Sequence, residues 1–502
     1  MLSHTFSTRA FALAAIVAIA PLPALADNET IEEALRAAHP LFAQAEWSDA
    51  RGEGTVPELR GQGVLETSAS ATDLRLVLPW RASTVTAQAL HVVGDDVVLE
   101  GLRLENSNGT VAARRAHMSR EALGALGHIL SGEAPEGEEA DAAAGTVRLA
   151  GFTIETVRHT RERGDGRTGR FQSTMRGEWL ALDGIAASGR ANPTLVIDGV
   201  TAERVVGQTV FAGEAGFTLE RLEARLTGES PVMGLVQEAM LRALGTSDGA
   251  ASGTLSLVVE GFDLTVTGRE AGAEPVRALI GRASVEGELA EDGATRVAVA
   301  LREAATTPNI AAGTPLETAM RMAAREAQTQ SGDGRPLLDR PHVPADVDIS
   351  ASLNGRELVV DADSRVPGLA TGAAALDATL PEGGLAKVAG GGRDAAMALA
   401  LETTVRTIRL DFVDRGLDSI LAEETGERIV ARLRSAIGGA GDGGGGMRGM
   451  ALQLALAQAA GVLEILEREG SVRMQVTSPV ALPLPVALVT LLQSAAPVPQ
   501  TR

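Results

Sequence analysis

The arrangement closest to a nucleophile motif is Gly245-Thr246-Ser247-Asp248-Gly249, which has the G-x-S-x-G spacing of serine hydrolases. In those enzymes the serine sits on a tight turn that leaves a strand and enters a helix. Here the pattern predicts a helix ending at Leu244 and a strand beginning near Thr254, the reverse order, so Gly245 reads as a helix C-cap and Ser247 as dispensable. Metal chemistry has little to draw on. The histidines, His4, His39, His91, His117, His128, His159 and His342, show no H-E-x-x-H or paired ligand spacing. With no Cys and no Tyr there is no thiol nucleophile, no thiolate ligand and no phenol acid. Lys387 is followed by Val388, so its Gly-rich surroundings lack the G-K-[ST] of a phosphate loop. The doublets Asp346/Asp348 and Asp361/Asp363 share strand faces and read as solvated. In the tract Gly438–Gly446, Asp442 comes one place early for a calcium nonapeptide. The expectation is therefore a non-enzyme with no catalytic, cofactor-binding or metal residues and no cofactor.

The surrounding elements are mostly strands. Val347, Ile349, Ala351 and Leu353 alternate with Asp346, Asp348, Ser350, Ser352 and Asn354, and the same period of two recurs at Ile408, Leu410, Phe412 and at Val472, Met474, Val476. Amphipathic helices are predicted near 119–131, 230–244, 314–329 and 417–437, two with readable starts at Ser230-Pro231 and Thr314-Pro315-Leu316-Glu317. A finer template recurs as Leu99-Glu100-Gly101-Leu102, Leu149-Ala150-Gly151-Phe152, Ile197-Asp198-Gly199-Val200 and Val259-Glu260-Gly261-Phe262. Glycine inside a strand marks a bulge or a close backbone approach. The four glycines are thus expected to curl the sheet and to aim Leu102, Phe152, Val200 and Phe262 at one side, a candidate apolar groove.

Composition narrows the partners. The formal charge is −20 and aromatics are 2% of 502 residues, which disfavours nucleic acid, whose phosphates need a basic footprint and whose bases need stacking faces. Only Trp47, Trp80 and Trp179 offer large faces to a polysaccharide, and each reads as a core or anchoring residue. Lys387 is the one lysine among the 45 basic residues, a bias of coding rather than of chemistry.

The N-terminus reads as a secretory signal: Arg9, an apolar run from Ala10 to Ala20, a break at Pro21-Leu22-Pro23 and an A-x-A site predicting cleavage after Ala26. A bilayer crossing needs about 20 apolar residues. No transmembrane segment is expected after the signal is removed, the nearest apolar stretch being Met450–Ala460. The expected domains are 1–26 signal peptide, 27–131 a β-rich unit with an N-terminal helix and a closing helix, 132–145 an acidic linker, 146–328 β-rich repeats with helices, 329–344 a linker, and 345–502 C-terminal strands and helices. The expected fold class is α+β, β-dominated, with elongated, curled antiparallel sheets in serial β-then-helix units and a more helical C-terminal part.

With its export signal, its lack of cysteine and its repeated x-Gly-apolar strands over Asp73 to Glu303, the chain resembles the broad group of AsmA-like and related β-rich periplasmic proteins. The resemblance implies a role in lipid movement or envelope maintenance and no catalytic residue; unlike the long bridge-forming members, this chain is short and has no anchor. The expected function is an exported, non-enzymatic envelope protein, periplasmic or secreted from a bacterium, associated with lipid or another apolar ligand through its curled sheet. The alternative is a structural or partner-binding protein without a ligand, its partner an envelope protein, and a serine hydrolase stands third.

Overall fold

The computed structural model describes residues 26–78, 83–133, 145–161, 168–188, 194–210, 214–228, 252–267, 275–290, 294–307, 345–368, 370–382, 399, 401–415, 461–462 and 464–498. The chain divides into two compact units, 1–226 with 259–273, and 227–258 with 274–502.

The first unit opens with helix α1 (Ala26–Ala38) and a 3-10 turn (Pro40–Gln44). Then come β1 (Glu46–Arg51), the hairpin of β2 (Gly54–Pro57) and β3 (Val64–Thr67), β4 (Ala69–Leu78), β5 (Ser83–Val93), β6 (Asp96–Asn106) and β7 (Gly109–Met118). Helix α2 (Arg120–Ser131) precedes β8 (Gly145–Arg161), β9 (Thr168–Ser188), β10 (Thr194–Val196), β11 (Gly199–Val210) and β12 (Glu214–Gly228). Antiparallel ladders join β1 to β4, each of β4 to β9 to the next, β9 to both β10 and β11, and β11 to β12. Strand β13 (Gly253–Thr267) is shared between the units. The second unit continues with β14 (Val276–Leu289), β15 (Thr295–Thr307), β16 (Ala345–Asn354), β17 (Glu357–Val366), β18 (Ala370–Thr379), β19 (Thr404–Asp414) and β20 (Ser471–Pro483), each antiparallel to the next, and helix α3 (Leu484–Gln493).

The main core lies in the first unit. Leu74, Leu76, Leu90, Leu99, Leu102 and Phe152 from the strands, Leu123, Leu126 and Leu130 from α2, and Ile31, Leu35 and Phe42 from the N-terminal segment are buried together. In β4, β5 and β7 the inward pattern changes step once. In β4, Ala69 and Ala71 face inward and then Leu74, Leu76 and Leu78; in β5, Val85 and Ala87 and then Leu90 and Val92; in β7, Val111 and Ala113 and then Ala116 and Met118. Two successive residues therefore point outward at one level of each of these strands.

That step needs an unusual backbone, and alternate strands supply it. Asp73 in β4 (φ 54°), Gly101 in β6 (φ 61°), Gly151 in β8 (φ 63°), Arg204 in β11 (φ 50°) and Gly261 in β13 (φ 61°) are left-handed, a region that glycine enters freely and other residues at a cost. These positions form one transverse row. Asp73 falls between the pairs Thr72↔Ala89 and Leu74↔Ala87, opposite Gln88, and an added Cβ at Gly101 would strike the Gln88 side chain. Gly151 likewise faces Arg114, Arg204 faces Glu178 and Gly261 faces Glu220.

This row corrects the expected fold class. A single strand with an extra residue would make a bulge and bend the sheet. Because these adjacent strands take the same outward step at the same level, the β5–β6 and β6–β7 ladders pass Gly101, and β7–β8 passes Gly151, without a register shift. Gly199 is not part of the row; it starts β11 with an ordinary φ. The sheet is large and mostly antiparallel, neither curled nor closed. The C-terminal helical part is small. Of the four expected helices, 119–131 forms as α2, and the other three lie outside the described residues.

Candidate contact surface

The C-terminal end of the second unit is built from β19, β20 and α3. Pro485 in the first turn of α3 presets φ for a helix without needing an N–H donor, and the Leu484 amide donates to the Thr403 carbonyl at 2.9 Å. Thr490 Oγ1 bonds back to the Val486 carbonyl, and the Ser494 amide closes the last turn on Thr490 and Leu491. One face of α3 is satisfied: Ala487 and Leu491, four residues apart, are buried, Ala487 together with Ala378 and Val405 of the sheet. The two flanks of that stripe are not covered. Val486 is 49% and Leu488 43% exposed, and Val480, in the bend leading to the helix, is 71% exposed. A helix apolar on all sides is normally buried on all sides.

The stretch of sequence that contains the helix carries no charge. From Met474 to Thr501 the sequence contains no Asp, Glu, Lys or Arg, although 22% of the chain is charged. The tail after α3 turns back along β20: Arg473 and Ala496 exchange both backbone hydrogen bonds (2.7 and 2.9 Å), Ser494 Oγ accepts from the Gln475 amide, and Ser471 Oγ accepts from the Val498 amide. This occupies part of the outer edge of β20, where unpaired amides would otherwise invite another strand.

The other face of this sheet is polar. Asp411 of β19 accepts two hydrogen bonds from Arg473 at 2.9 and 3.1 Å and two from Arg409, from Nε at 2.9 Å and from Nη2. Burial pushes the Asp411 carboxyl up, but the two guanidiniums outweigh it and hold the group below the usual carboxylate range. Arg302 donates to Asp348 at 2.6 Å, and Asp346 accepts from the Glu303 amide at 3.1 Å. Asp348 and Asp363 stand directly opposite each other on β16 and β17. The two doublets thus lie on an arginine-studded sheet face, and no metal-competent group of three ligands occurs among the described residues.

The expected groove residues lie elsewhere, in the first unit. Leu102 and Phe152 are fully buried in its core, and Val200 and Phe262 pack partly buried against that core. The lipid or apolar-ligand function expected through a curled sheet is corrected with the fold, since the curl that would hold a ligand is absent. His117 Nε2 lies 3.0 Å from Asp96. His91 is titrated downward by burial, with Glu100 opposing and Arg115 assisting. Ser247, Lys387, Asp442 and His342 lie outside the described residues. The residues the motif search passed over are Val480, Val486 and Leu488; their signal in the sequence is the charge-free run itself, which is interrupted by prolines and so does not read as a spanning segment. Among the described residues no helix is long and apolar enough to cross a membrane.

Fold and surface together define an antiparallel β-sheet protein with an exposed apolar C-terminal helix. Compared with family models and with curated proteins, the chain matches none.

Proposed function

We propose that this is an exported, non-enzymatic envelope protein that works by structural association, meeting a protein partner through Val480, Val486 and Leu488. Export is supported by the N-terminal sequence, whose short apolar run ends in prolines before Ala24-Leu25-Ala26. The observation that carries the contact is the exposure of three aliphatic side chains inside the one long charge-free run of an acidic chain. Depletion of charge at the centre with aliphatic side chains presented outward is the composition of a protein interface core. A protein surface is favoured over a lipid surface because a chain of charge −20 is repelled by anionic headgroups.

The test is photo-crosslinking in intact cells with a benzophenone side chain at position 488. A discrete adduct that disappears on Val486→Glu is the expected result. No adduct, or an equal adduct from the exposed polar position 95, overturns the reading.

A further inference from the structure

The N-terminal segment is clasped to the rest of the first unit by two imidazoles. His39 stands between α1 and the 3-10 turn and is 5% exposed; its Nδ1 accepts from the Leu41 amide at 3.1 Å. Its ring meets that of His128, in the last turn of α2, edge to face with centroids 4.8 Å apart. The approach is possible because α2 carries glycine there: a Cβ at Gly127 would lie 2.3 Å from His39 Cγ, and one at Gly124 would crowd the Ala38 carbonyl. Phe42 closes the other side of His39, its centroid 5.9 Å away. His128 Nδ1 is buried with no hydrogen-bond partner among the described residues.

We propose that the His39–His128 contact is a pH-sensitive clasp, holding α1 and the 3-10 turn on α2 near neutrality and loosening them on acidification. Two imidazoliums at this separation repel, in a seam that also buries Ile31, Leu35 and Phe42. Burial lowers the His39 titration, the neighbouring His128 lowers it further, and Glu133, beyond the end of α2, opposes both. On α1 itself, Glu32 and Arg36 pair with each other. A histidine whose folded value is depressed binds fewer protons folded than unfolded. Its contribution is therefore complete above about pH 6.5 and is lost as the pH falls from there towards the folded value. An exported protein meets the pH of its surroundings, so such a clasp would expose the apolar underside of α1 in acid.

The test is hydrogen exchange of the mature chain from pH 7.5 to 5, corrected for intrinsic rates and read over 29–44 and 120–131. The wild type is expected to open more in acid, by up to about tenfold per pH unit below pH 6.5. His39→Asn keeps an acceptor for the Leu41 amide but cannot titrate, and should lose most of this slope; His128→Gln should reduce it. Unchanged protection in the wild type down to pH 5 overturns the clasp, whatever the variants do. The same slope retained in both variants overturns it too.

Discussion

At Gly101 a side chain meets two obstacles: a left-handed backbone, and Gln88 across the ladder with a Cδ 2.6 Å from where a Cβ would stand. Gly199 has neither, since its φ is ordinary and its nearest neighbour is 3.5 Å away. Gly101→Ala should therefore destabilise the first unit by about 1 to 2 kcal/mol, and Gly199→Ala by less than about 0.5 kcal/mol, in matched urea titrations. Equal effects would show that the transverse row is not special. Three of the four template glycines are legible in the sequence for this reason, because glycine is the residue type that enters the left-handed region without penalty. Asp73 and Arg204 take the same step with nothing in their residue type to mark it, and Gly199 fits the template while doing a different job. Ring packing of the His39–His128 kind was also hidden, since the residues are far apart in the chain and join only when α1 meets α2.

Among the elements, α2 was the most legible. Ser119 precedes a run of Ala and Leu and ends at Gly132, and the helix found there is Arg120–Ser131 with Gly132 left-handed at its C-cap. Ser119 Oγ accepts from the Ala122 amide at 3.3 Å and also from the Thr146 amide at 3.0 Å, tying the helix start to β8. Ser119→Ala should cost about 1 to 2 kcal/mol, towards the upper end for an N-cap, with the loss of protection centred on α2 and the start of β8. A loss under about 0.5 kcal/mol would mean that water replaces the hydroxyl at both amides. The strands of the second unit were equally plain, as the register pairs Ile349 with Ala362 on one face and Asp348 with Asp363 on the other. Helix α3 was not singled out among the C-terminal strands and helices expected over 345–502, and the docking of Ala487 and Leu491 shows it to be a helix with uncovered flanks.

On the scale of the whole molecule, the decisive physical point is that a distortion shared by adjacent strands leaves no trace in the pairing between them. The sequence pattern does contain the step, as doubled outward positions such as Gln88-Ala89 and Arg114-Arg115. Its consequence depends on whether neighbouring steps coincide, which no single strand can reveal. Where they coincide, as along Gln88, Gly101, Arg114 and Gly151, the ladders keep their register. The chain contains no cysteine, so engineered pairs report register cleanly. The pairs Thr110/Glu155 and His117/Arg148 flank the Arg114–Gly151 level on the same two strands. Replacing each pair with cysteines in separate variants and measuring disulfide formation tests the account directly: both variants should oxidise fully under mild conditions, whereas oxidation on one side of Gly151 with none on the other would reveal a bulge and restore the curled sheet.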